Sequence, residues 1–243
     1  MSKFTLVLAF YLSAVSQIFA TDPYPRNPNI DIQHYLFQID LNDSDNTIAG
    51  TTEVTILFKN SVSTFELDLV GKSQDERGMT VNSVTQQKNS LKFSQKNDRL
   101  SITLNNPPQA GEEITITINY SGIPTDGLVI STNKFGDRTF FGDNWPNRAH
   151  HWLPTIDHPY DKASCEFIVT APSHYQTIAN GVLIERTNLP NNRILSHWKE
   201  TVNIPTKVMV IGVARFAVTT AGVINNIPVE TWVYPQNKEA GFK

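Results

Sequence analysis

Apolar residues recur at every second position along most of this chain, and that period decides what the chain can fold into. Residues 30–41 (IDIQHYLFQIDL) put Tyr35, Phe37, Ile39 and Leu41 on one side. Residues 47–58 (TIAGTTEVTILF) do the same with Ile48, Gly50, Thr52, Val54, Ile56 and Phe58. Side chains alternate sides along a strand, so each run predicts a half-buried strand, and the intervening NDSDN is a turn. The pattern returns in STFELDLVG, in SLKFSQKNDRLSITL as a hairpin about residues 96–98, and in EEITITINYSG. Before Pro124 no apolar repeat has helical spacing.

Strands resume in ASCEFIVTAP, YQTIANGVLIER, RILSHWKETV, TKVMVIGVARFAV and IPVETWVYP. Asn180-Gly181 is a tight-turn signal and NLPNN a second loop. About a dozen short strands with no obligatory helix predict an all-β fold, a large antiparallel and twisted sandwich or saddle-like sheet. The closing QNKEAGFK resembles the start of a helix, and the chain reads as ending on the approach to a further domain.

Residues 1–20 read as a secretory signal, with Lys3 before a short apolar run and Ala20 at a small-residue cleavage point. That run is shorter than the ~20 residues a membrane span needs, so no transmembrane segment is expected. The destination is export, to a periplasm or the medium. Net charge is −3 without blocks of one sign, which argues against a nucleic-acid partner. Cys165 is the only cysteine, so no intrachain disulfide forms. It falls in phase with Ala163, Phe167 and Val169, which predicts a buried, inert thiol.

Chemistry-bearing residues concentrate in residues 144–164, NWPNRAHHWLPTIDHPYDKAS. Of six histidines only His150, His151 and His158 cluster, none within His-Glu-x-x-His. On an extended chain adjacent histidines point to opposite faces, which disfavours joint metal ligation, so no metal site is expected in this segment. Hydrolase signatures such as Gly-x-Ser-x-Gly and Gly-rich phosphate loops are absent. Asp143, Asp157 and Asp161 offer carboxylates for acid/base work on a sugar. Phe140, Phe141, Trp145 and Trp152 offer stacking faces, as in a free-standing secreted β-sandwich module binding carbohydrate or protein. The plainer reading is a structural loop whose aromatics fill the core and whose Asp side chains cap turns.

Taken in order, these segments resemble the N-terminal domain of the aminopeptidase N family of zinc metallopeptidases. QHYLFQIDL, IAGTTEVTILF, FELDLVG, AGEEITITINYSG and DGLVIS are similar to its successive strands. The family's Trp-Phe-Pro-Cys-Phe-Asp-Glu-Pro-x-x-Lys-Ala core is tracked by Trp152, Leu153, Pro154, Thr155, Ile156, Asp157, His158, Pro159, Tyr160, Asp161, Lys162 and Ala163. YQTIANG and PTKVMVIGVARF resemble the turn and strand that close the same domain. The likeness runs from about Pro28 to Val233.

After the signal peptide read over residues 1–20, the resemblance implies a β-domain over 21–225 and, over 226–243, the start of a connection to a catalytic domain. It implies that Trp152, Pro154, Asp157, Pro159, Lys162 and Ala163 are architectural, Asp157 and Pro159 reversing the chain before a strand. Relatives carry Gln-x-Glu or Gln upstream, where that side chain helps hold the substrate's free amino group. Counting back from Trp152 brings Asp143, Asn144 and Trp145 there, with Trp145 in the carboxylate's place. Zinc is expected only in the catalytic domain, whose Gly-x-Met-Glu-Asn and His-Glu-x-x-His do not occur within these 243 residues. Expected partners are that domain and the peptide substrate's N-terminus.

Overall fold

The computed structural model describes residues 22–243, so the signal-peptide reading lies outside the described residues. In chain order the strands are β1 Ile30–Asp40, β2 Ile48–Phe58, β3 Thr64–Asp68, β4 Gly78–Gln86, β5 Asn89–Ser90, β6 Lys92–Lys96, β7 Arg99–Thr103, β8 Glu113–Ile123 and β9 Leu128–Thr132. They continue as β10 Arg138–Gly142, β11 Ala163–Pro172, β12 Gln176–Ala179, β13 Val182–Leu189, β14 Arg193–Ile204, β15 Ile211–Ala214, β16 Ala217–Ile224 and β17 Ile227–Val233. One short helix, α1 Lys238–Gly241, follows within the stretch that reads as a helix start. The all-β expectation holds. Among the described residues no helix is long and apolar enough to cross a membrane.

The largest sheet runs β13-β14-β11-β1-β2-β8-β4-β5. A four-stranded sheet (β12-β15-β10-β9), a three-stranded sheet (β3-β7-β6) and the β16-β17 pair complete the fold. Within the mostly antiparallel pattern, β1 and β11 pair in parallel, with Phe37 opposite Phe167. A parallel pair needs a long crossover, and here the chain visits both smaller sheets before β11 returns. Local turn chemistry explains the hairpins. Asn97 and Asp98 both take left-handed φ (51° and 58°) between β6 and β7, the geometry that matches strand twist in a two-residue turn. Asn180-Gly181 does bend the chain, but its flanking strands join different sheets, β12 to β15 and β13 to β14.

The period-2 faces meet in one core. Tyr35, Phe37, Ile39, Val54, Ile56, Phe58, Ile116, Ile118 and Phe167 are buried on the inner face of the large sheet. Phe58 meets Phe65 of β3 edge-on at 5.8 Å, tying that sheet to the three-stranded one. Gly50 keeps the core phase but makes room: a Cβ there would lie 2.3 Å from the Tyr120 ring. Cys165 is buried in phase, and burial pushes its thiol up to about 12, so little reactive thiolate forms.

Candidate functional site

Residues 144–164 contain a 3₁₀ turn, Ala149–His151, then an irregular segment that turns again at residues 158–161 before entering β11. Trp152 is fully buried, stacks 6.3 Å from Phe167, and is joined in the interior by Leu153, Pro154, Thr155 and Ile156. The loop is hydrogen-bonded on every side. Thr155 and Asp68 exchange backbone bonds of 2.7 and 3.1 Å, and the Ile156 N–H donates to the Tyr35 hydroxyl at 3.0 Å.

Asp157 is the hub of this loop. Its Oδ2 accepts the His150 backbone N–H at 3.1 Å and lies 2.6 Å from His150 Nδ1, while its Oδ1 accepts the Thr206 hydroxyl at 2.9 Å. Its own N–H donates to Asp68 Oδ2 at 2.8 Å, and Asp68 in turn pairs with Arg99 and the Tyr24 hydroxyl. The local turn expected of Asp157 is made instead by His158, whose Nδ1 accepts the Tyr160 N–H at 3.2 Å. Asp157 reaches across the fold because burial leaves its carboxylate no water, so each oxygen must find a protein donor.

Electrostatics follow from that burial. Desolvation works against a charged His150, but the hydrogen bond and charge of Asp157 outweigh it, so the imidazole is raised above its ordinary value. Asp161 is buried with the Ile32 N–H at 3.3 Å, and desolvation raises its carboxyl to about 7. Neither Asp157 nor Asp161 joins Asp143 at an open cleft: both are 4 % exposed. Pro159 and Lys162 lie at the surface and Ala163 in the core.

The histidines depart from the expectation for an extended chain. The turn brings the His150 and His151 rings to 4.6 Å, but their Nδ1 atoms serve different partners, Asp157 and Thr125, the latter at 2.5 Å. Among the described residues no three His, Cys, Asp or Glu side chains converge in a geometry that could hold a metal ion.

Upstream, neighbouring side chains separate sharply. Asn144 is buried; its amide donates to the carbonyls of Thr206 (3.2 Å) and Met209 (2.6 Å), and its oxygen accepts the Trp152 indole N–H at 2.8 Å. Trp145 is 62 % exposed, and Asp143 sits at the surface, 3.0 Å from the Arg148 guanidinium, which also meets Asp126 at 3.4 Å. Gly127 permits this close packing: at φ +73° a Cβ would meet the Arg148 carbonyl at 2.1 Å. Behind the edge lies a groove of about 590 Å³ lined by Tyr24, Arg99, Pro146, Asn147, His150 and His158 among others.

As a stacking surface the aromatic set fails. Trp152 and Phe140 are buried and Phe141 is half-buried, which leaves Trp145 alone. Sequence reasoning also missed Asp68, Arg99, Arg148 and Thr206. Alternation in FELDL places Asp68 on the polar side with Glu66, so its burial beneath Thr155 and Asp157 had no signal in the sequence.

Residues 31–208 match the family profile of the Peptidase M1 N-terminal domain. Similar solved structures include an M1 zinc metallopeptidase from Deinococcus radiodurans, at 24 % identity and TM-score 0.69, covering 81 % of this chain and 45 % of that one. A mutant of such an enzyme from the same organism, bound to a Tyr-Ser-Ala substrate, is 23 % identical with TM-score 0.69 over 84 % of this chain and 47 % of that one. A two-domain M1 zinc metallopeptidase mutant bound to L-arginine is 20 % identical with TM-score 0.70, covering 88 % and 52 %. At these identities the likeness shows the fold, and the chain spans about half the length of the structures it matches. No curated protein matches it.

Proposed function

This chain belongs to the family of peptidase M1 N-terminal domains, and from that premise we propose that it is the non-catalytic N-terminal domain of an exported zinc aminopeptidase that removes residues from peptide N-termini. The observation that carries this reading is the family match over residues 31–208. In the reading, zinc is held by the catalytic domain, and this segment packs on that domain and forms one wall of its cleft.

The edge at residues 143–145 is the part that meets substrate. Asn144 does so indirectly: pinned to Trp152, Thr206 and Met209, it fixes the backbone from which its neighbours project. Where relatives hold the substrate's ammonium with an acid or amide, this chain presents the exposed face of Trp145, whose ring quadrupole attracts a cation with ~0.5–1 kcal/mol at an exposed site and more once desolvated. Asp143 stands beside it with its charge partly balanced by Arg148.

Reading the gene beyond Lys243 tests the first part: His-Glu-x-x-His is expected, and a stop codon directly after Lys243 sinks the proposal. In the full gene product, Trp145→Ala should raise KM for free-amine peptides by about threefold to tenfold, while Trp145→Phe keeps most of the affinity. An unchanged KM in Trp145→Ala would remove Trp145 from the site.

A further inference from the structure

One side chain ties the edge at residues 143–145 to the connection between β8 and β9. Arg148 Nε donates to the Trp145 carbonyl at 2.7 Å, and its Nη1 lies 3.0 Å from Asp143 Oδ2 and 3.4 Å from Asp126 Oδ1. The same two segments also meet through the Asp143 N–H, which donates to the Gly127 carbonyl at 2.6 Å.

The place of Arg148 does not depend on its side chain. Its N–H donates to the Asn144 carbonyl at 2.8 Å, and its own carbonyl accepts the His151 N–H at 3.2 Å and packs against Gly127. The backbone therefore presents position 148 to the edge whatever side chain it carries. What the guanidinium adds is a fixed charge and a planar fork of donors, which lets one group serve a carbonyl and two carboxylates at once.

Charge is shared unevenly here. The side chains of Asp143 and Asp126 are 52 % and 43 % exposed, and a single cation faces both. Among the described residues neither carboxylate forms an ion pair with any other cation. Burial works against the Asp126 carboxylate, but the Gly127 N–H at 2.8 Å and Arg148 outweigh it and hold the group below its ordinary value. One negative charge of the two is left over, at the edge that bears the exposed Trp145 ring.

We propose that Arg148 is a positioning residue that sets the specificity of this edge. Its guanidinium engages both carboxylates and fixes the Trp145 carbonyl, so an incoming ammonium meets the indole face and one residual charge instead of a pair of carboxylates. The ligand this selects is a peptide with a free terminal amine, held loosely and in a salt-sensitive way. The inference rests on the proposed aminopeptidase reading and goes beyond it by naming what limits affinity for the amine.

Arg148→Met in the full gene product tests this, because it keeps the reach of the side chain and removes its charge. KM for a free-amine dipeptide should fall about threefold at low ionic strength, the direction expected when a cation is withdrawn from beside a bound ammonium. The change should disappear in about 1 M salt. Adding Asp143→Asn to Arg148→Met should return KM to near the parent value, and Arg148→Lys, which keeps the charge, should also stay near it. Asp143→Asn alone removes the residual charge and should raise KM about threefold, a check that does not depend on the Arg148 variants folding. Inhibition by the N-acetylated dipeptide, which has no ammonium, should be the same in every variant. A higher KM in Arg148→Met, or a shift shared by the acetylated peptide, would mean that Arg148 only supports the backbone, and overturns the inference. An active aminopeptidase whose KM responds to neither Arg148→Met nor Asp143→Asn overturns it as well, and leaves the aminopeptidase reading standing. A gene product without His-Glu-x-x-His overturns both.

Discussion

His150 Nδ1 lies 2.6 Å from Asp157 Oδ2, and through that contact the 3₁₀ turn at residues 149–151 is locked to the loop that enters β11. The pair is the centre of a buried polar network reaching Asp68, Arg99 and Thr206. Removing one member of such a network leaves buried and half-buried partners short of hydrogen bonds.

Asp157→Ala should therefore destabilise the fold by about 3 kcal/mol, since it orphans the His150 ring, the His150 N–H and the Thr206 hydroxyl together. Urea denaturation of the 243-residue chain at pH 7 measures this. A loss under roughly 1 kcal/mol would mean that the network is not the lock described.

Asn144 gives a sharper contrast. Asn144→Ala should cost about 2 kcal/mol, because the Trp152 indole N–H and the carbonyls of Thr206 and Met209 lose their partner. Asn144→Asp, though nearly the same shape, should cost at least as much. A carboxylate cannot donate to two carbonyls, and it would carry charge into the interior. Equilibrium unfolding of the three proteins side by side decides it, and an Asp variant as stable as the parent would refute the assignment.

Stability should fall between mildly acid and mildly alkaline pH, and Asp161 should be a main cause. Burial raises its folded pKa to about 7, above its ordinary value of 3.8, so the folded state favours the neutral acid. A raised folded pKa contributes stability that is complete below the unfolded pKa and is lost as pH climbs through about 7. His150, also raised, adds a loss of the same sign at and above its ordinary range. Asp161→Asn should match the parent near pH 4 and exceed it by about 2 kcal/mol at pH 8, less than the full shift converts to because the new amide needs partners. Chemical denaturation at pH 4, 6 and 8 checks the slope. Parallel curves for the two proteins would show that Asp161 is not buried as described.

Much of the strand map was legible without the structure because alternation is a local property. Tyr35 to Leu41 or Ile48 to Phe58 need only a pleated backbone and one dry side to explain their pattern. The family resemblance, rather than alternation, marked residues 152–163 as scaffold. It misjudged the means, assigning Asp157 to a local turn that His158 makes. Only the binding-module alternative grouped Trp152 with Trp145 as stacking faces; one is buried and the other exposed.

By itself, then, the sequence determined the all-β class, the turns at residues 97–98 and 191–192 and the burial phase of Cys165. Each depends on neighbours one to four positions away. Only the tertiary structure decided that β1 and β11 run in parallel, that Asn180-Gly181 passes the chain from one sheet to another, and that Asn144 points inward while Trp145 points out. Those outcomes turn on which distant donors meet a buried carboxylate or amide. The partners of Asp157 and Asn144 lie up to 89 residues away, and no local pattern encodes that distance.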